Sequence, residues 1–303
     1  MPRPSIDQED QHRMLFHYTS QMGLIGILQA HGIWATQTHF LNDSSEFGHA
    51  LDFAKRVAGG DYYMDDYHEA FGWALRGALE KVSGDDVFVS SFSERPDLLS
   101  QWRGYCPGGS GFCLGFEKSA LHDFCDENGF SLQKCIYDPE QQQAKIRDLA
   151  VACLKMFPSD GVSREEYDAM GPEAQVDRSM DLHKFVSEGP GKNLADAAVD
   201  WFCKEIAEIA PLFKNNGFHE EAEWRVIARS PSAPLKFRSG TSYVIPYIEL
   251  AILADSRKEI LREVIVGPNP NHYRCKKAAS IILGSLGYDK SEVFSSAIPF
   301  NNW

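Results

Sequence analysis

From Glu221 to Val226 (Glu-Ala-Glu-Trp-Arg-Val) polar and apolar residues alternate, the period of a half-buried strand. Such a strand sets Glu221, Glu223 and Arg225 on one face, roughly 7 Å apart in turn, and turns Ala222, Trp224 and Val226 towards a core. The polar row is either a solvated edge or the wall of a polar cleft. Other runs rich in β-branched and aromatic residues predict strands at Met14–Tyr18, Ile33–Ala35, Val87–Ser93, Phe112–Phe116, Leu132–Tyr137, Leu235–Phe237, Thr241–Leu250, Glu263–Gly267 and Glu292–Ser295.

Helical spacing is as plain elsewhere. Thr19 or Ser20 can cap a helix to about Ala30 with Leu24, Ile27 and Leu28 buried, and Gly32 stands where a helix-ending glycine belongs. The segment Phe40-Leu41-Asn42-Asp43 leads into a helix bearing Phe47, Leu51, Phe53 and Ala54, with Asp43 and Glu46 spaced as a capping box. Further helices are predicted over 66–82, 98–105, 119–128 and 273–286. Between Pro139 and Phe213 the pattern is helical, with loops at Pro158–Val176 and Gly189–Lys192. The expected fold is α+β, a single domain over 1–303 with a helical insertion or lobe at 139–213.

Composition changes this picture little. The chain has 303 residues, 43% hydrophobic and 24% charged, ordinary for a globular protein with a sizeable core. A net charge of −13 repels a phosphate backbone and argues against a general nucleic-acid binder. Seven scattered cysteines without a Cys-x-x-Cys pair suit reduced thiols in a cytoplasm. No run is apolar enough to span a bilayer, and the polar start does not read as a signal peptide. No zinc-ligand spacing is present, so no metal is expected.

Individually the polar motifs are ordinary. His17 in Phe16-His17-Tyr18-Thr19 can bond a backbone carbonyl, and the hydroxyls of Ser90-Ser91-Phe92-Ser93 can satisfy a following turn. Gly108-Gly109-Ser110-Gly111 lacks the lysine of a phosphate loop and reads as a flexible turn. Trp34 and Trp102 suit a core. Paired carboxylates can stabilise an oxocarbenium-like centre and activate a nucleophile.

Taken in order, His17-Tyr18-Thr19, Ser91-Phe92-Ser93 and Glu221-Ala222-Glu223 resemble the three-part signature of ADP-ribosyltransferases. The chain also resembles the bacterial domain of unknown function 2971. That likeness rests on Phe16–Thr19, Phe40–Asp43 with Glu46, Ser90–Ser93, Trp102, Gly111–Phe116, Lys214, Glu221–Arg225, Val264–Pro268 and Ser296–Pro299. The first resemblance implies split mixed or antiparallel sheets and NAD as substrate. It implies that His17, with Tyr18 and Thr19 beside it, holds the ribose or nicotinamide amide, and that Tyr18 or Trp34 stacks on the nicotinamide. Ser91 and Ser93 would orient Glu223, which bonds the ribose 2′-OH as nicotinamide leaves. Glu221 would position or deprotonate the acceptor, Arg225 would pair with the carboxylates, and Lys214, Arg103 or Arg95 would meet the pyrophosphate. The expected partners are NAD, a macromolecular acceptor (protein or nucleic acid) and a regulatory protein or antitoxin, in a toxin or phage-defence effector. A non-catalytic interaction module on the same fold is the alternative.

Overall fold

The computed structural model describes residues 13–41, 45–59, 65–106, 111–229, 231–240 and 242–299. Asn42, Asp43 and the Gly108–Ser110 turn lie outside them, as does the side chain of Glu46, so the expected capping box and glycine turn are not described. The chain divides into two compact units: Met1–Leu41, Asp86–Cys135 and Gly217–Trp303 form one, and Asn42–Asp85 with Ile136–Asn216 the other.

The first unit holds the strands: β1 (Met14–Ser20), β2 (Ile33–Gln37), β3 (Val87–Ser93), β4 (Gly111–Glu117), β5 (Ser131–Lys134), β6 (Glu223–Arg229), β7 (Lys236–Ser239), β8 (Val244–Leu250), β9 (Leu261–Val266) and β10 (Glu292–Ser295). They form one mixed sheet in the order β10-β9-β4-β1-β3-β2-β8-β7, and β6 adds to β3 and carries β5. Pairing is antiparallel except between β9 and β10. Helices α1 (Gln21–Ala30), α4 (Leu99–Tyr105), α5 (Lys118–Asn128) and α10 (His272–Ser285) belong to this unit.

Directly paired residues present their side chains on one face of a sheet. One face carries Leu15, Phe92, Val226, Ala228, Ala35 and Ile248, and packs with Leu24 and Leu28 of α1, Leu121 and Phe124 of α5 and Leu283 of α10. Each such aliphatic or aromatic side chain stabilises the fold by about 1.5–3 kcal/mol. The opposite face has a smaller apolar cluster, in which Phe16, Tyr18, Cys113 and Ile265 meet Trp102 of α4. Beyond that cluster the second face is mixed: it bears the polar Ser91, Ser93, Glu223, Arg225 and Thr36 alongside the apolar Val89 and Ile227.

The sheet forks at β3. One edge of β3 pairs with β6 along its whole length, from Val87↔Arg229 to Ser93↔Glu223. Its other edge meets β1 only at Phe16↔Ser93, and β2 only at Thr36↔Val89 and Gln37↔Phe88. Between these contacts no described strand lies beside the edge of Ser90–Phe92.

The second unit is helical: α2 (Ser45–Ala58), α3 (Glu69–Leu79), α6 (Pro139–Met156), α7 (Arg164–Asp168), α8 (Pro172–Ser187) and α9 (Lys192–Ile209). Its core gathers Phe47, Phe53, Phe71, Leu75, Ile146, Phe202, Ile206 and Phe213. On α9 the buried Ala195, Ala198, Val199, Phe202, Ile206 and Ile209 follow helical spacing. The expected loop at 158–176 instead contains α7, whose capping box joins Ser163 and Glu166, and the start of α8 at Pro172. No described helix is long and apolar enough to cross a membrane.

Of the two expected caps it is Ser20 that caps α1, accepting from Gly23 N at 3.1 Å, and β1 runs on to it instead of ending at Tyr18. The left-handed residue closing α1 is His31 (φ 53°), not Gly32.

Candidate functional site

The strand expected to begin at Glu221 begins at Glu223. Ala222 has φ 43°, a left-handed conformation that breaks the extended backbone. Glu221 therefore closes the short helical turn Asn216–Glu221 and does not share a strand face with Glu223 and Arg225. The remaining pair is no solvated edge. Glu223 and Arg225 are each 4% exposed on a strand flanked by β3 and β5. Arg225 Nε donates to Glu223 Oε1 at 2.8 Å and Arg225 Nη2 to Glu223 Oε2 at 3.3 Å, a two-point contact that fixes both side chains.

The serines behave differently from expectation. Ser93 is paired with Glu223 in the ladder, yet its hydroxyl donates to the Glu221 carbonyl at 2.6 Å and accepts from Arg95 N at 2.9 Å. It holds the turn before β6 and does not orient the Glu223 carboxylate. Ser91 is opposite Arg225 and offers its carbonyl to His17.

His17 stands at the fork. As β1 leaves β3 after Phe16, the His17 ring reaches back and its Nδ1 comes 2.9 Å from the Ser91 carbonyl, on the stretch of β3 without a neighbouring strand. The ring centroid is 5.7 Å from that of Phe92. Burial lowers the His17 pKa below its ordinary value, opposed in part by the bond to Ser91. A neutral ring bonded to a carbonyl must carry its proton on Nδ1, which leaves the Nε2 lone pair as an acceptor. No described residue supplies that lone pair with a donor. Alternation starts the His17 side chain from the face of Leu15, whereas Glu223 shares the face of Phe16 and Ser93. So His17 and Ser91 meet, and Glu223 lies on an adjoining strand with its carboxylate on the other face.

A neutral His17 makes stability depend on pH. Below about pH 6.5 the unfolded chain binds a proton that the folded ring refuses, so this contribution is present above that pH and falls as pH drops. Between about pH 7.5 and 5.5 the denaturation midpoint of the wild type is expected to fall more than that of His17→Gln. Equal falls would refute the neutral assignment.

Ser90 is 2% exposed and its hydroxyl has no hydrogen-bond partner among the described residues. It faces the helix-covered core beside Val226. An unsatisfied buried hydroxyl costs about 1–3 kcal/mol, so Ser90→Ala is expected to leave stability unchanged or raise it by about 1 kcal/mol. A lower midpoint in urea would contradict this.

The other expected ligand residues scatter. Tyr18 is sealed: it packs edge-on against Trp102 at 4.8 Å, donates to the Arg95 carbonyl at 2.7 Å and accepts from Leu98 N at 2.9 Å. It offers no open ring to a nicotinamide. Thr19 is half-buried beside the α1 cap, and its carbonyl accepts from Cys106 Sγ at 3.3 Å. Arg95 serves through its main chain and Arg103 is exposed on α4. Lys214 belongs to the helical unit, where its carbonyl accepts from Gln142 at 3.0 Å.

Trp34 is open, at 37% exposure, and lies 4.6 Å from the Tyr247 ring. Thr36, Tyr247 and Arg238 share its face, and the Arg238 guanidinium is 5.8 Å from the indole centroid. Sequence reading missed Arg238 because the strand was ended at Phe237. The alternation Lys236-Phe237-Arg238 carries one more period of the same signal.

None of the curated proteins and none of the solved structures matches this chain. Residues 101–226, from α4 into β6 and including Glu223 and Arg225, match the family model described as Protein of unknown function (DUF2971).

Proposed function

We propose that the sheet unit is an ADP-ribosyltransferase-like enzyme that cleaves the nicotinamide–ribose bond of NAD and passes ADP-ribose to a macromolecular acceptor. The observation that supports this reading is the adjacency of β1, β3 and β6, joined through Phe16↔Ser93↔Glu223. Three segments far apart in sequence, the three that carry the resemblance to the transferase signature, thereby lie on adjoining strands. In this reading Glu223 bonds the ribose 2′-OH and stabilises the positive charge that develops as nicotinamide leaves. Trp34 supplies the ring surface that Tyr18 does not. The His17 Nε2 lone pair accepts from a ligand N–H or O–H at the fork. Glu221, on the turn before β6, governs the acceptor.

The test is release of nicotinamide from NAD by the purified chain, alone and with candidate protein and nucleic-acid acceptors. No release in any of these mixtures sinks the reading. An effector role in the cytoplasm, under an antitoxin or other regulatory protein, would make expression arrest growth and Glu223→Gln relieve the arrest.

A second reading, a non-catalytic interaction module, is favoured by one observation. Both oxygens of Glu223 are engaged by Arg225 and only 4% of the residue is exposed. Calorimetry separates the two: this module binds a protein partner and gives no heat with NAD.

A further inference from the structure

On the face of β2, β8 and β7 that bears Trp34 and Tyr247, Arg238 has no counter-charge among the described residues. Arg238 is paired in the ladder with Ile245, next to Lys236↔Tyr247. Lys236 is neutralised by Glu249 at 2.6 Å. Arg238 has no carboxylate within ion-pair distance among the described residues. Of its five N–H donors, one meets an acceptor, Nη2 to Thr36 Oγ1 at 3.3 Å. Its Nε is shut off from water and has no partner. A chain with 43 acidic and 30 basic side chains has carboxylates in excess, so a guanidinium left without one calls for another anion.

The surroundings narrow which anion. The guanidinium carbon is 5.8 Å from the centroid of the Trp34 indole, which has the Tyr247 ring at 4.6 Å and stays more than a third exposed. A cation at that distance is attracted to the ring, and a guanidinium presents its donors as a planar fork. Phosphate oxygens match that edge in a two-point contact. The open indole beside it offers a stacking surface to a flat ring, an interaction worth about 1–3 kcal/mol per nucleic-acid base.

We propose that Arg238 and Trp34 form a binding site for a nucleoside diphosphate, in which the guanidinium takes the phosphates and the indole takes the base. The site needs no nicotinamide chemistry and stands whether or not NAD is cleaved.

Titration calorimetry with ADP, pyrophosphate and adenosine tests it. ADP is expected to bind the wild type more tightly than either half alone. Arg238→Gln should weaken ADP about ten- to a hundredfold, the range for a hydrogen bond to a charged group, and Arg238→Lys should recover part of that loss. Trp34→Leu should weaken ADP and leave pyrophosphate unchanged. Circular dichroism confirms that each variant is folded. Absence of ADP binding by the wild type, or undiminished binding by folded Arg238→Gln, overturns the site. Pyrophosphate binding as well as ADP overturns the role of the ring. ADP binding by the wild type without nicotinamide release would sink the transferase reading alone.

Discussion

Arg225→Ala is expected to destabilise the sheet unit by about 3–5 kcal/mol, the cost of breaking a buried charge pair by removing one member. The effect is large because Glu223 cannot turn to water. It is 4% exposed on a strand bounded by β3 over seven pairs and by β5 over four. The loss would appear as a lower midpoint in chemical denaturation followed by tryptophan fluorescence. The double variant Glu223→Leu/Arg225→Met removes both charges and keeps their bulk. It should regain most of the loss, since well-packed apolar replacements of buried ion pairs are often neutral or stabilising. A midpoint for Arg225→Ala equal to the wild type would mean that water reaches Glu223 in solution, and the polar row would return to being an open edge.

Glu223→Gln carries the largest expected effect on activity. Nicotinamide release should fall by about 10²–10³, the usual loss when one group stabilising developing charge is removed. Glutamine keeps the shape and can still accept from Arg225 Nε, so most of the fold should survive. Rates are therefore compared per folded molecule, with ADP binding as the control for an intact sheet. Unchanged release would remove Glu223 from the chemistry and leave its pairing with Arg225 as its role.

Strands were legible wherever a run of β-branched and aromatic residues met a clear turn. Val87–Ser93 was read with its observed bounds, because its composition has no helical competitor. Backbone sign was harder to read. Alternation carried the strand of Glu223 back to Glu221, since nothing in the side chain of Ala222 announces φ 43°. Gly32 looked like the left-handed residue closing α1, yet His31 takes that conformation. A Cβ on Gly32 would come 2.6 Å from the Leu250 carbonyl oxygen, so the glycine is needed for close approach to β8. That contact lies far along the chain and no local pattern encodes it.

The candidate site was legible as a set of neighbours more than as a set of directions. The order His17, Ser91, Glu223 named residues on three strands, β1, β3 and β6, with β3 between the other two. It could not give the register, Phe16↔Ser93↔Glu223, which sends the carboxylate to the face opposite the one from which His17 starts. Nor could it show that the Ser93 hydroxyl is spent on the Glu221 carbonyl. Periodicity also fits a buried polar row and a solvated one equally, and only the neighbours β3 and β5 decide between them. The helical unit was half visible: its second segment stood out by helical spacing, but its union with Asn42–Asp85 is a matter of tertiary contact.

The interleaving of the two units sets an order on the ribosome. The helical unit has its last residue, Asn216, synthesised well before the sheet receives β9 and β10. Until Leu261–Val266 emerges, β4 is paired with β1 alone and its other edge has no strand. That strand reads Gly-Phe-Cys-Leu-Gly-Phe-Glu, apolar until its last residue, and an unpaired apolar edge is a template for pairing with another chain. Until β9 is made, the nascent sheet thus carries an apolar edge open to other chains although the helical unit is already complete.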